Sequence, residues 1–342
     1  MSEVITGCIH IHTTFSDGNK SFEEVAHIAD DVGLDFIMVS DHMTLQPLQE
    51  GKEGYYGNTL AIIGYEIHDP NNKNHYLVFG LNNILNPRLP ASEYVPQAAE
   101  KGAVGIIAHP DEIRNYIHKY PSYPWTEWGV GGFNGIEIWN HMSEWMERLR
   151  RFNKLKMFIF PRRSLQSPTK RILRKWDELN MKGKIAGVGS VDVHAFPYKL
   201  GPLRLVVFPY KVQFKSIRTH LIIERELSKD IKTAKGQILG AIRDCRVFIS
   251  NYRWGDASRF NAEILTKDGV VQIGGEKTFE EGYRMQVKIP KDSQAAIIRN
   301  GKVYARFNGK KAEIPISAPG LYRVEVKRSG KGWIYTNHFK II

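Results

Sequence analysis

Short apolar segments recur between residues 6 and 188, and they constrain the fold more than any other feature of the sequence. Each is four to six residues long and is bounded by glycine, proline or polar residues. They span residues 6–11, 34–39, 59–63, 76–79, 103–108, 135–139 and 185–188. Runs of this length are typical of strands that are buried on both faces, as in a parallel sheet.

Helical patterns lie between several of these segments. Ser21 and Glu24 have the spacing of a capping box, and apolar residues then recur at helical intervals until Gly33. Residues 92–100 and 142–156 predict further helices, although Pro96 weakens the first. The alternation of strands and helices predicts an α/β fold with a barrel-like parallel sheet.

The sequence changes character near Gly255. Beyond it, short alternating apolar runs are separated by dipeptides typical of β-hairpins. These are Asp268-Gly269, Asn300-Gly301, Asn308-Gly309 and Ser329-Gly330. We therefore expect a domain of residues 1–255 and a small antiparallel β-sandwich of residues 256–342.

Composition excludes several classes of protein. No apolar run reaches the roughly 18 residues of a membrane span, and the first residues lack the pattern of a secretory leader, so we expect a cytoplasmic protein without membrane contact. Cys8 and Cys245 are the only cysteines, which excludes a disulfide framework and leaves histidine and carboxylates as metal ligands.

Charge is unevenly distributed, although the whole chain carries +12. Residues 1–147 carry a net −13 and residues 148–184 a net +11. The basic segment is either a solvated helical face or a surface for a phosphate-bearing partner. Carboxylates gathered in a cleft are costly unless cations compensate them, so the acidic first part also points to bound cations.

Histidine or acidic residues end nearly every predicted strand. His10 and His12 are two apart, so on an extended chain both point to the same side, and Asp192 and His194 repeat this spacing. The carboxyl ends of barrel strands converge on one face. Six of the twelve histidines lie there with three carboxylates, which predicts more than one bound metal ion. The nine residues are His10, His12, Asp17, His42, Glu66, His75, His109, Asp192 and His194.

These motifs resemble those of the PHP (polymerase and histidinol phosphatase) superfamily of metal-dependent phosphoesterases. The resemblance rests on His10-x-His12 with Ser16-Asp17-Gly18, on Ser40-Asp41-His42, Gly64-x-Glu66 and Ala108-His109-Pro110, and on Asp192-x-His194. It covers about residues 6–250 and implies a distorted (β/α)7 TIM-like barrel with two or three divalent ions. The region after it resembles, more weakly, the β-sandwich that follows this domain in some members.

The resemblance also implies how the ligands are shared. His10, His12 and Asp192 would hold one ion, Glu66 would bridge it to a second ion on His75 and His109, and Asp17, His42 and His194 would hold a third. His68 is an alternative to His75. Imidazoles and carboxylates without thiolate suit Mn, Fe or Zn and do not separate them. Ions ~3.5–4 Å apart can share a water and activate it as hydroxide for attack on phosphorus, with Glu66 and Asp192 acting through the metals.

Other residues near the predicted strand ends have two readings each. Arg114 could bind phosphate or form a surface salt bridge. Asp41 could orient a ligand or be solvated, and Glu137 and Asn140 could pack or orient ligands. An aromatic cluster after the fifth strand, which could stack on a nucleobase or pack its loop, comprises Tyr116, Tyr120, Tyr123, Trp125 and Trp128.

The sequence thus predicts a phosphoester hydrolase acting on a small phosphorylated metabolite or nucleotide. Two alternatives remain. One is a nucleic-acid-binding protein whose metal domain is structural, and the other is a nuclease that uses residues 148–184 as a track for the phosphate backbone.

Overall fold

The computed structural model describes residues 2–114, 116, 121–200 and 203–342. Up to residue 255, the described residues form twelve strands and nine α-helices. In chain order these are β1 (Glu3–Ile11), α1 (Phe22–Asp31), β2 (Phe36–Val39), α2 (Gln46–Gln49), β3 (Gly54–Tyr56), β4 (Thr59–Ile67), β5 (Tyr76–Phe79), α3 (Ala91–Glu100), β6 (Val104–Ile107), β7 (Gly135–Asn140), α4 (His141–Arg148), α5 (Lys154–Ile159), α6 (Pro161–Ser164), α7 (Lys170–Lys182), β8 (Ala186–Ser190), β9 (Pro197–Leu200), β10 (Leu203–Val206), α8 (Tyr210–Gln213), β11 (Ile217–Ile223), α9 (Ile231–Arg243) and β12 (Val247–Asn251).

The last part of the chain is built from strands. They are β13 (Asn261–Thr266), β14 (Gly269–Gln272), β15 (Glu276–Lys277), β16 (Arg284–Arg299), β17 (Lys302–Pro315), β18 (Gly320–Arg328), β19 (Lys331–Thr336) and β20 (Phe339–Ile341). Short 3-10 turns at Arg151–Asn153 and Tyr252–Trp254 complete the described secondary structure.

The seven strands that the sequence predicts in the first part are buried on both faces, as expected. In β2, Ile37 and Val39 pack into one apolar cluster, whereas Phe36 and Met38 pack into another. Successive side chains of a strand point to opposite faces, so each cluster covers one face of the sheet. Helix α1 covers part of one face and begins at the predicted capping box, in which both hydrogen bonds between Ser21 and Glu24 are present.

The sheet is mixed rather than parallel throughout. Strands β1, β2 and β4 run parallel, and so do β6, β7 and β8. Strand β5 runs antiparallel to both β4 and β6. Only residues 68–75 link β4 to β5, and a crossover between parallel strands needs a dozen residues or more. The prediction of parallel strands is therefore wrong at β5.

The predicted (β/α)7 barrel is not confirmed. The segment after β8 approaches β1 through an isolated bridge between Ile11 and Val193, and β1 continues instead into an antiparallel pairing with β11. No ladder among the described residues closes the sheet into a barrel. The fold is α/β with a large, open, mixed sheet.

The strands after residue 256 pair antiparallel, apart from β15 with β20. Three of the four predicted hairpin dipeptides lie at turns between strands. Asn308-Gly309 instead lies inside β17, beside a register shift, so the predicted turn there is wrong. Strand β19 also pairs with β12, which joins this region to the sheet of the first part. A domain boundary at residues 255 and 256 stays a prediction.

Candidate metal centre

The nine residues singled out in the sequence come together at one edge of the sheet. They form four overlapping groups, within each of which the nitrogen and oxygen atoms lie within 4.8 Å of one another. The groups are His12, Asp17, His42 and His194; His10, His109 and Asp192; His10, His12 and Glu66; and Glu66, His75 and His109. The predicted convergence is confirmed. The assignment of each residue to a particular ion stays a prediction.

Glu66 lies at the centre of these groups, 1% exposed, near the end of β4. Its Oε2 atom lies 3.1 and 3.3 Å from the Nε2 atoms of His10 and His12, and 3.3 Å from His42 Nδ1. Its Oε1 atom faces His75 Nδ1 at 2.6 Å and His109 Nε2 at 3.5 Å. A carboxylate whose two oxygens face different sets of imidazoles has the arrangement that a ligand shared by two cations requires.

Backbone irregularities, rather than the alternation of an extended strand, aim three of the nine side chains. His10 has φ 67°, His109 φ 29° and Asp192 φ 52°, in the region that non-glycine residues seldom adopt. The pairing of β1 with β2 shifts register between Ile9 and Ile11, which marks a bulge at His10. The sequence argument that His10 and His12 share a side because their strand is extended is therefore wrong in its premise, although the two side chains do meet.

Asp192 and His194 separate into different groups for the same reason. Backbone bonds from Val191 to Ile9 and between His12 and Val193 hold the segment after β8 against β1. Asp192 then lies with His10, its Oδ1 3.5 Å from the Nε2 of that ring, whereas the Nε2 of His194 lies 3.2 Å from Asp17 Oδ1.

The group of His12, Asp17, His42 and His194 depends on a tight loop after β1. A side chain at Gly18 would collide with the backbone of His12, so glycine allows the loop to fold back on the strand. Asp17 thereby lies 3.7 Å from both His12 and His42. His12 thus faces Asp17 as well as Glu66, a double contact that the ligand sharing implied by the resemblance does not include.

Asp41 fixes this loop. Its carboxylate accepts hydrogen bonds from the backbone N–H and hydroxyl of Thr13, both at 2.7 Å, and from the Ser16 hydroxyl at 2.6 Å. Of its two readings in the sequence, orientation of neighbouring groups therefore fits the structure. Burial raises the pKa of this carboxyl, against the effect of the three hydrogen bonds.

Glu137, on β7, holds His10 and the backbone of His109 in position. Its Oε1 accepts a hydrogen bond from His10 Nδ1 at 2.7 Å. Its Oε2 accepts from the His109 backbone N–H and from the Asn140 amide, both at 2.8 Å. Because Glu137 occupies Nδ1 of His10, the Nε2 atom of that ring faces Glu66 and Asp192. The sequence offered no signal for this contact beyond a buried carboxylate at a strand end.

Buried nitrogen atoms without hydrogen-bond partners test whether the residues fit metal ions. They include both ring nitrogens of His12, Nδ1 of His42 and Nδ1 of His109. Burial, with the charges of His194 and His42, lowers the pKa of His12 to about 3, so its ring is neutral with a free lone pair. An unpaired buried polar atom is costly. The donor set of imidazoles and carboxylates therefore fits divalent cations such as Mn, Fe or Zn.

The carboxylates of the centre are ionised despite their burial. Burial would raise the pKa of Glu66, but the neighbouring His10, His42 and His75 hold it well below its usual range. Burial would also raise the pKa of Asp192, but the neighbouring His10, His194 and His109 hold that pKa below its usual range. Buried anions of this density need compensating positive charge, which bound cations would supply.

His75 rather than His68 faces Glu66. The His68 ring stacks on His75 with centroids 5.1 Å apart, and its Nδ1 contacts the Asp69 carbonyl at 2.8 Å. The predicted choice of His75 over His68 thus agrees with the geometry. Tyr123, one of the aromatic residues noted in the sequence, also stacks on His75, with the ring centroids 4.9 Å apart.

Arg114 lies at the same cavity as the metal centre. It forms an ion pair with Glu112 at 2.5 Å, its guanidinium lies 5.4 Å from the Tyr123 ring centroid, and its Nε has no partner. The predicted salt bridge is therefore present, although it is buried rather than at the surface, and phosphate binding by Arg114 stays a prediction. The cavity itself has a volume of about 840 Å³ and is lined by residues of the centre, by Arg114 and by apolar side chains of α4 and α5. Tyr120 lies outside the described residues.

Comparisons with known proteins were made at three levels. No family model matches the chain, and no curated protein matches it. The solved structures to which the chain is similar include PHP-like metal-dependent phosphoesterases. One is a two-domain protein from Bacteroides vulgatus assigned as containing such a domain, with 13% identity, a TM-score of 0.46, and coverage of 98% of this chain and 95% of that one.

Two further structures match over part of the chain. A protein from Bifidobacterium adolescentis, assigned as a metal-dependent phosphoesterase, is 14% identical with a TM-score of 0.35, covering 61% of this chain and 94% of the other. An amidohydrolase from Chromobacterium violaceum, solved with sulfate and no metal, is 11% identical with a TM-score of 0.33, covering 57% and 92%. At these identities and TM-scores, likeness alone assigns no activity.

The basic segment, residues 148–184, carries both paired and exposed side chains. Arg148 pairs with Glu144 and Arg171 with Asp111, while Phe152 and Leu155 are the most exposed of the large apolar side chains described. Nothing in this part of the structure or in the comparisons supports the nucleic-acid alternatives. No helix in the described part of the chain is long and apolar enough to cross a membrane.

Proposed function

We propose that this chain is a metal-dependent phosphoesterase that hydrolyses a small phosphorylated substrate. The observation that carries the proposal is the position of Glu66, whose Oε2 faces three imidazoles and whose Oε1 faces two others. Two sets of imidazoles joined by one carboxylate are typical of centres that hold two cations a few ångströms apart.

The residues divide between positions for ions and positions that hold the ligands. In the proposed assignment, His10, His12 and Asp192 take one ion, and His75 and His109 take the second, with Glu66 shared. Asp17, His42 and His194 form a third position. Divalent ions there would supply Lewis-acid activation of a water and neutralise charge that develops on phosphoryl oxygens.

The protein groups around the ions orient the centre and the substrate. Glu137 holds the His10 ring, and Asp41 holds the loop that carries Asp17. Arg114 lines the cavity and its Nε atom has no hydrogen-bond partner, which supports a role in binding a phosphoryl oxygen. In the overall reaction, water adds to phosphorus, the bond from phosphorus to the ester oxygen breaks, and the leaving alcohol takes a proton.

The proposal is tested by assaying the purified protein, loaded with Mn, Fe or Zn in turn, against mononucleotides, sugar phosphates, alkyl phosphates, histidinol phosphate and short oligonucleotides. We expect phosphate release that chelation abolishes and that Glu66→Gln lowers at least a hundredfold. Glu144→Gln is the matched control, because this buried glutamate accepts hydrogen bonds from Trp139 and Arg148 and belongs to none of the four groups. Full activity of Glu66→Gln, or hydrolysis that is indifferent to chelators, would contradict the proposal.

A further inference from the structure

The cavity beside the metal centre has a second, apolar part. Its lining includes side chains from α4, α5 and the segment after β10 that carry no charge, which we call the apolar wall. They are Met142, Trp145, Met146, Phe158, Val207 and Phe208. These residues also pack against one another as a separate apolar cluster, so the wall is continuous.

Aromatic contacts fix the shape of the apolar wall. The Trp145 ring packs edge-on against Phe208 and Phe158, with centroid distances of 4.7 and 5.2 Å. Its indole N–H donates to the Met157 carbonyl at 3.1 Å and is therefore not offered to a ligand. The six side chains of the wall thus present carbon, sulfur and ring faces to the cavity and no unused hydrogen-bond donor.

The volume is larger than a phosphoryl group requires. A cavity of about 840 Å³ lies in the range of roughly 300–1,000 Å³ that holds a whole organic ligand. The phosphoryl end is set by the imidazoles, the carboxylates and Arg114, so the remaining space belongs to the group on the other side of the ester oxygen. That space is bounded mainly by the apolar wall, although Lys154, Tyr116 and Asn72 also line the cavity.

We propose that the substrate is a phosphoester whose leaving group is apolar, an alkyl or aryl alcohol rather than a sugar or nucleoside. This inference rests on the proposed function. A sugar placed against the wall would lose the hydrogen bonds that its hydroxyls make with water and gain none in return. An alkyl chain gains instead, because each buried methylene strengthens binding about fourfold.

The test compares leaving groups of similar basicity. We expect kcat/KM to rise about fourfold per methylene from ethyl to hexyl phosphate. The kcat/KM for hexyl phosphate should be at least tenfold higher than that for glucose 6-phosphate, ribose 5-phosphate or AMP. A flat alkyl series, with a sugar phosphate or AMP as the best substrate, would overturn the inference.

Binding without turnover separates this inference from the proposed function. Hexylphosphonate and methylphosphonate share the phosphoryl end and cannot release an alcohol. If no phosphoester is hydrolysed, yet hexylphosphonate binds at least tenfold tighter than methylphosphonate by calorimetry, the proposed function fails and the apolar site stands. Equal affinities of the two phosphonates would refute the apolar site whatever the activity.

Substitutions in the apolar wall test whether the preference for alkyl phosphates arises there. Met146→Gln, which keeps the length of the side chain and adds an amide, is expected to raise KM for hexyl phosphate about tenfold and to leave ethyl phosphate within twofold. Val207→Thr, a smaller change, is the second variant in case the first does not fold, with an expected threefold effect on hexyl phosphate. Met181→Gln is the control, since this methionine on α7 is 59% exposed and does not line the cavity. Equal losses on both substrates would contradict the assignment.

Discussion

Glu137 offers the sharpest test of how the metal centre is held in position. It accepts three hydrogen bonds with its two oxygens, from His10 Nδ1 at 2.7 Å and from His109 N–H and the Asn140 amide at 2.8 Å. In Glu137→Gln, one oxygen becomes an NH2 group, which cannot accept. If the NH2 group replaces Oε1, it faces the His10 Nδ1 donor, and if it replaces Oε2, it faces the His109 N–H and the Asn140 amide. Either His10 or the segment that carries His109 therefore loses its hydrogen bond.

The magnitude follows from the role of such supporting contacts. Loss of a group that orients a metal-binding histidine typically lowers metal affinity 10- to 100-fold, or about 1.4–2.7 kcal/mol. We therefore expect Glu137→Gln to bind Mn or Zn 10- to 100-fold more weakly than the unmodified protein, while its circular dichroism stays unchanged. Competition with a chromophoric chelator measures both affinities under the same conditions.

Glu144→Gln is the matched control for Glu137→Gln. Glu144 is also a buried glutamate close to β7, but it accepts from Trp139 Nε1 and Arg148 Nε, both at 2.8 Å, and contacts none of the nine residues. Its substitution should leave metal affinity within threefold of the unmodified protein. The supporting role of Glu137 would be refuted if the two variants had the same metal affinity, or if Glu137→Gln bound metal as tightly as the unmodified protein.

Two further predictions concern stability. Asp177→Asn removes the carboxylate that the buried Arg323 contacts at 2.7 and 2.9 Å and leaves Glu325, at 2.6 Å, as its remaining partner. Urea unfolding should therefore show a loss of about 1–3 kcal/mol in the free energy of unfolding, and an unchanged free energy would contradict the buried ion pair. Burial lowers the pKa of His220, which lies between Thr6 and Ser250, to about 3. As pH falls from ~6.5 towards 3, the unfolded chain binds a proton on this histidine that the folded chain does not, so the free energy of unfolding falls by up to about 1.4 kcal/mol per pH unit. In urea titrations at several pH values, the free energy of unfolding should depend less steeply on pH for His220→Gln. An unchanged pH dependence would refute the role of His220.

The convergence of the nine residues could be predicted from the sequence because it depends on a simple rule. Strand ends that carry histidine or a carboxylate meet at one edge of a sheet, and this holds whether or not the sheet closes into a barrel. The central position of Glu66 follows from its place near the end of β4, beside the bridge to His42.

The finer geometry could not be predicted from the sequence, since it depends on backbone irregularities that residue types do not reveal. His10, His109 and Asp192 have positive φ without being glycine or asparagine, so nothing in the sequence indicates the backbone conformations that aim them. The antiparallel direction of β5 follows from the short connection of residues 68–75, whose length the sequence does show. The position of Asn308-Gly309 inside β17 depends on pairing with a distant strand, which local turn propensity does not describe.

The central claim is that Glu66 is shared by two bound cations, and anomalous scattering from crystals grown with Mn or Zn tests it most directly. The claim predicts one element-specific peak between Glu66 Oε2 and the rings of His10 and His12, and a second between Glu66 Oε1 and the rings of His75 and His109. Crystals of protein whose hydrolytic activity requires the added metal, but which show no peak in contact with Glu66, would contradict it.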